Sequence, residues 1–380
     1  MQKDLTLVFL CFWLAFSCSK TSSPDPATTT TTPTTGITQG SANTATVFSS
    51  HTYSTVFIKK DGSLWTFGAA EFTGREPSVT TLTPKRVGTD NDWSSVSTAW
   101  ATFAVKSDGT LWSWGQKELI GRTGNNLIPA KVNEDKDWAS VYAAPNRFTL
   151  ALKKDGTLWG CGKEGFSDGS SYFLDGTTTD RPLMTRAGTE SDWQKISIYG
   201  AEIFLIKKDG SVWGWGHPND ALFGTLDTKS KLVNVLPGND WVDVAIRSLG
   251  GVGLKKDGSL WRWGSTINPK QPQRIGSSND WVKIITKNGL NDQIYGLKQD
   301  GSLWVSGGGF DSPTSFNPVE TYNSGDTFES IYFNGNGIVA KRPGKDDYCA
   351  FGFSGGSDYT SKYGGDNFLD AKGELKCTSF

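Results

Sequence analysis

Histidine is nearly absent: His51 and His217 are the only two in 380 residues. That removes most histidine-based metal sites and Ser-His-Asp triads, so no metal and no cofactor are expected. Neither sign of charge dominates. With 38 basic and 39 acidic residues the formal net charge is −1, so no basic excess exists to neutralise phosphates and no nucleic-acid partner is expected. Asp25, Asp90, Asp92 and Glu134-Asp135 lack calcium-loop spacing. No glycine-rich loop opens a helix, which excludes a nucleotide cradle of that kind. The apolar run from Leu5 to Phe16 is 12 residues, too short to cross a bilayer. What is abundant is glycine, 45 residues, and aromatics, 12%. That mixture suits many short strands joined by tight turns.

The N-terminus reads as a processing segment rather than fold. Lys3 supplies a weak positive region before the apolar run, which ends in Ala15-Phe16-Ser17-Cys18. This resembles a bacterial lipoprotein signal, which implies a signal peptide over 1–17 and a lipid on Cys18. Phe16 is atypical there, so cleavage without lipidation is the alternative. Residues 18–42 are rich in Thr, Ser and Pro and cannot bury a core, so they read as an extended tether. The expected location is the cell envelope, on the periplasmic or surface side of the outer membrane, with the lipid as the only membrane contact.

One phrase recurs along the remainder. Lys59-Lys60-Asp61-Gly62-Ser63-Leu64-Trp65 returns with Asp at 108, 155, 209, 257 and 300, in steps of 47, 47, 54, 48 and 43 residues. A worn seventh copy is Lys341-Arg342-Pro343-Gly344. Before each phrase stands Trp-x-x-Val or a variant, as in Trp93 to Val96 and Trp193 to Ile196; blade one has only Thr44 to Val47. A Pro-x-x-Val element follows some copies, as in Pro84 to Val87. A period of 40–50 residues signals a propeller or solenoid. Each repeat yields four strands. Strand A is Trp-x-x-Val, and strand B alternates apolar residues at period two, as in Phe204 and Ile206. Asp-Gly is expected to make a type I′ hairpin turn into strand C, Leu-Trp-x-Trp-Gly, and strand D is Pro-x-x-Val. A lone sheet of this kind has two exposed faces and is not stable. The fold predicted over 43–380 is therefore all-β, a seven-bladed β-propeller of four-stranded antiparallel blades.

At these residues the chain resembles the regulator of chromosome condensation repeat family, in a bacterial, Trp-rich, lipoprotein-anchored version. The resemblance covers about Asn43 to Gly352. It implies a propeller and gives precedents for protein binding through one face. It does not carry the founder's nucleotide-exchange activity, because no residues here match it. The family's His before strand B is missing from blades two to seven. Its Gly-Gln-Leu-Gly survives only as Gly121-Arg122-Thr123-Gly124.

Strand order separates the two faces. The B–C turns and D–A connections repeat almost unchanged. The A–B and C–D loops emerge on the opposite face and vary in length and residue. Binding residues collect on such loops, with aromatics and Arg dominating hot spots. The candidate binding residues are Trp100, Arg147, Tyr199, Arg247, Phe166, Tyr172 and Phe223; the alternative for each aromatic is that it folds inward and caps its blade. The Asp of each Asp-Gly is assigned to turn geometry. The lysines before Asp-Gly are assigned to a solvated rim, and the repeated Trp to core packing.

The expected function is an exported, non-enzymatic scaffold that binds a protein through the A–B/C–D face. A carbohydrate-binding surface lipoprotein is the alternative. A propeller glycosidase or lyase would need converging carboxylates, with Glu71, Glu118, Glu164, Asp168, Asp220 and Asp311 as the C–D-loop candidates. Cys161 reads as a buried thiol. Cys349 and Cys377 are expected to form a disulfide, against a rival in which all three are free.

Overall fold

The computed structural model describes residues 47–51, 53–165, 171–174, 176–177, 179–216, 220–224, 228, 231–247, 250–264, 267–287, 293–307, 315–318, 326–334, 337–351 and 377–379. The chain divides into residues 1–35 and 36–380, and every described residue lies in the second unit. Cys18, the signal peptide and the tether fall outside the described residues.

The described strands form seven four-stranded antiparallel blades in a ring. In blade one, strands A to D are Phe48–His51, Ser54–Ile58, Leu64–Gly68 and Thr81–Arg86. Strand A of blades two to seven is Trp93–Thr98, Trp138–Ala143, Trp193–Tyr199, Trp241–Arg247, Trp281–Lys287 and Ser330–Asn334. These A strands surround the central channel. Blades one and seven meet through a parallel contact, Ser50 opposite Asn334, which closes the ring. Among the described residues the helical pieces are single turns, Ala70–Phe72, Lys117–Leu119 and Asp220–Phe223.

The core lies between blades. Val56, Ile58 and Leu64 of blade one pack on Trp93, Val96 and Trp114 of blade two. Phe204, Ile206 and Val212 of blade four pack likewise on Trp241, Val244 and Trp263 of blade five. A B strand is thus covered on both faces: Ala101–Lys106 is buried at all six positions. The period-two pattern expected there marks which neighbouring blade a residue meets, not inside against outside.

The Asp-Gly hairpin is not a type I′ turn. In Lys207–Ser211, Gly210 has φ of 86° and Asp209 is not among the residues with positive φ. The Gly210 N–H donates to the Lys207 carbonyl at 2.9 Å and the Lys207 N–H to the Ser211 carbonyl at 3.0 Å. This is a three-residue loop, a turn followed by a glycine bulge. Asp209 accepts from the Ser211 N–H and hydroxyl at 2.8 and 2.7 Å, and the Ser211 hydroxyl accepts from the Trp213 indole at 2.9 Å. Those Ser211 bonds, side chain first, hold the Asp209 carboxyl below its usual range. The relay explains why the phrase runs Asp-Gly-Ser/Thr-x-Trp. The Gly210 carbonyl then accepts from Trp241 N–H of the next blade at 3.2 Å. A Cβ at Gly210 would stand 2.3 Å from the Asn239 carbonyl oxygen. Gly210→Val is therefore expected to cost about 2–3 kcal/mol, since a β-branched residue resists positive φ and the next blade blocks it. An unchanged melting temperature for this variant contradicts that account.

Blade seven lacks this turn, and its strand D comes from the chain end: Cys377–Ser379 pairs with Asp347–Phe351. Cys349 lies opposite Cys377 in that pairing and the two are joined by a disulfide. Cys161 is free and buried.

Candidate functional site

In blades two to six the first lysine of the phrase is not a solvated rim residue. Lys153 sits between the rings of Trp138 and Trp159, 5.0 and 4.5 Å from their centroids, and pairs with Asp135 and Asp137 at 2.7 and 3.0 Å. Lys106 repeats this with Trp93, Trp112, Asp90 and Asp92. Burial would lower the Lys106 pKa, but its hydrogen bonds to Asp90 and Asp92 outweigh that and raise it. The aromatic slot and the paired acids of the D–A connection explain the correction: these lysines fasten one blade's D–A connection to its own hairpin. The second lysines, such as Lys60, Lys154 and Lys208, are exposed on that repeated face.

The variable loops divide the predicted binding residues. Tyr172 and Phe223 are core residues, 3% and 0% exposed. Tyr172 stacks on Phe148 at 4.1 Å and Phe223 on Phe204 at 5.0 Å. The inward-capping alternative is what occurs. Arg247 is 3% exposed, at the end of its A strand, and Tyr199 is half-buried against the blade four–five core. Phe166 lies outside the described residues. Glu164 is buried and accepts the Tyr172 N–H, so it serves the loop. Glu71 and Glu118 are exposed; Asp168 and Asp311, and the side chain of Asp220, are not described. Among the described residues no three His, Cys, Asp or Glu gather to hold a metal.

Trp100 and Arg147 meet. Both lie in A–B loops of neighbouring blades. The Arg147 guanidinium lies 5.7 Å from the centroid of the Trp100 ring, and Arg147 Nη2 donates to Gln116 at 3.2 Å. The Trp100 indole donates to the Pro145 carbonyl at 2.7 Å. Tyr53 and His51 of blade one flank Trp100 at 5.4 and 5.7 Å. Arg147 is exposed and has φ of 67°, a left-handed backbone that costs energy in a non-glycine residue. Burial lowers the His51 pKa to about 4, so the imidazole is neutral near pH 7. The result is an aromatic and guanidinium cluster spanning three blades at the channel mouth, since His51 and Pro145 also line the channel.

The channel, about 320 Å³, holds charged groups that the sequence reading missed. Lys195 of blade four pairs with Asp243 of blade five at 2.6 Å, and Lys283 follows in blade six. All three stand two residues after the Trp of their A strands, where blades two, three and seven carry Ser95, Ser140 and Ser330. That break in one column of the repeat was the available signal.

Fold and loop geometry together define a repeat propeller with one constant and one variable face. Its fold is that of the regulator of chromosome condensation type. The chain is similar to human WBSCR16: 16% identity, 78% of this chain and 86% of that one, TM-score 0.61. It is similar to yeast RCC1 (Prp20), solved bound to Kap60: 16% identity, 82% and 81% coverage, TM-score 0.60. Saccharomyces cerevisiae Prp20p, whose structure was described with its binding properties to Gsp1p and histones, is 14% identical over 83% of this chain and 84% of that one, TM-score 0.57. No protein-family model and no curated protein matches this sequence. At these identities the likeness is one of fold.

Proposed function

We propose that this protein is an exported, non-enzymatic binding scaffold whose A–B/C–D loop face holds a protein partner. The observation that carries the reading is the Trp100–Arg147 cluster at the channel mouth. A rigid ring presents it, its anchors are of the types that dominate interface hot spots, and its strained Arg147 backbone is of the sort kept at functional sites. The similar yeast propeller was solved bound to Kap60, a precedent for protein binding by this fold. Arg147 already covers the Trp100 ring that a sugar would need to stack on, so the carbohydrate reading is less favoured.

The test is capture of envelope proteins on the immobilised propeller, residues 43–380. A protein retained at stoichiometric level supports the reading; retention of glycans alone, or of nothing, overturns it. Anchoring has its own test. Cys18→Ser cannot form the thioether, so the variant is expected to leave the membrane fraction for the soluble one. A variant that stays with membranes, with no lipid mass on the unmodified chain, contradicts the lipoprotein assignment.

A further inference from the structure

Lys283 is an ammonium with too few acceptors. Among the described residues no carboxylate lies within ion-pair reach of its Nζ. Its neighbours are the Ser330 hydroxyl, at a long 3.4 Å, and the face of Tyr332, 4.6 Å to the centroid. An ammonium has three donors, so one weak bond leaves it short of partners. Asp243 does not help: one of its oxygens holds Lys195 and the other accepts its neighbour Val244's N–H at 2.9 Å. Lys283 keeps part of its surface against the channel, yet it sits deep among protein atoms. Burial first, then the like charge of Lys195, lower its pKa to about 8 against the opposing pull of Asp243.

The other ionisable groups facing this space are few. They are His51 of blade one, neutral near pH 7, and the phenols of Tyr142 in blade three and Tyr332 in blade seven, the latter with its pKa raised by burial. The Lys195, Asp243 and Lys283 group thus carries two positive charges and one negative, a net of one positive charge. Around it the walls are mostly apolar, from Ile196, Ile198, Ala245, Ile284 and Ile285, with the hydroxyls of Ser197 and Thr286 between them. A cavity of about 320 Å³ with a few polar groups set in apolar walls has the make-up of a small-ligand site.

We propose that the central channel binds a small monocarboxylate, its carboxylate on Lys283 and its apolar body against the isoleucines of blades four and six. A single negative charge matches the single excess positive charge. Phosphate has no apolar body to set against the isoleucines, and the dianion that forms a large share of it near pH 7 would leave one charge unmatched. The carboxylate supplies the acceptors that Ser330 does not, through charge-assisted hydrogen bonds. The site is separate from the Trp100 cluster and does not depend on a protein partner.

The test uses the full chain, with benzoate, its neutral amide benzamide, and inorganic phosphate as probes in calorimetric titrations near pH 7. Benzoate is expected to bind at least about tenfold more tightly than benzamide or phosphate. Lys283→Met is expected to lose benzoate affinity by at least about tenfold with its melting temperature retained. In the unmutated protein, titration of isotope-labelled lysine Cε is expected to place Lys283 near 8 and move it upward on benzoate saturation. That last measurement decides the matter even if the variant does not fold. No benzoate binding, equal binding of benzamide, tighter binding of phosphate, undiminished binding by folded Lys283→Met, or a Lys283 titration that benzoate leaves unmoved each overturns the proposal.

Discussion

Opening the Cys349–Cys377 disulfide is expected to destabilise blade seven by about 3–4 kcal/mol, the chain-entropy value for a loop of 28 residues. The bond matters more here than in a blade with its full complement of contacts. Blade seven lacks the Asp-Gly-Ser-Leu-Trp relay that ties each of the first six hairpins, and its strand D is only Cys377–Ser379. In place of the relay, Arg342 bonds both oxygens of Asp326 at 3.0 and 3.1 Å. Blade seven also carries the seam of the ring, because Tyr332 and Tyr348 pack against Phe48 of blade one at 6.2 and 5.3 Å. Loss of strand D therefore loosens the closure and not one blade alone. Melting of Cys377→Ala, and of the intact chain with reductant, reads the effect. Cys161 is a buried lone thiol in both, so it does not confuse the comparison. A melting curve unchanged on confirmed reduction contradicts the prediction.

Trp100→Ala and Arg147→Ala are each expected to weaken partner binding by on the order of 2 kcal/mol, about thirtyfold. The two touch, so the double variant is not expected to equal the sum. Removing Trp100 strips the ring from under Arg147 and frees the Pro145 carbonyl. Removing Arg147 leaves Trp100 held by Tyr53 and His51 but takes away the exposed charge. Arg147 is exposed, so Arg147→Ala is expected to melt near the unmodified protein. Trp100 packs against the core between blades two and three, so Trp100→Ala is expected to lose some stability and its binding is read below its own melting transition.

The repeat made the strands legible, because Trp-x-x-Val, Asp-Gly and Leu-Trp recur at a spacing that only a ring of blades satisfies. The turn type was not legible, since Asp-Gly fits both a two-residue turn and a three-residue loop with a bulge. The loop aromatics were misplaced for a physical reason. In blade four the third residue of strand C is Gly214, and a Cβ there would lie 2.5 Å from the Phe223 ring. The missing side chain is the space the aromatic fills, and Gly160 makes the same room for Phe173. Blades one and two put Thr66 and Ser113 in that place, and the loop instead returns Arg75 and Arg122 to bond them at 2.6 and 3.1 Å. Gly with a loop aromatic, or a hydroxyl with a loop Arg, is a pairing visible in sequence once the blades are aligned. The buried lysines were misassigned because most phrases carry a Lys-Lys pair. Lys106-Ser107 and Lys298-Gln299, which keep only the first lysine, were the sign of which ammonium enters the Trp slot, as the register of strand B requires. The meeting of Trp100 with Arg147 was legible in outline, from two variable A–B loops on adjacent blades.

The central claim is that the variable face and not the constant face binds the partner. Titration of the captured protein against two folded variants tests it. One carries Trp100→Ala with Arg147→Ala. The other carries charge reversals at Lys60, Lys154 and Lys208, which stand exposed beside the repeated B–C turns. The account predicts that the lysine variant binds as the unmodified protein does, while the Trp100/Arg147 variant loses at least about thirtyfold in affinity. Lost binding in the lysine variant with binding retained in the Trp100/Arg147 variant contradicts it.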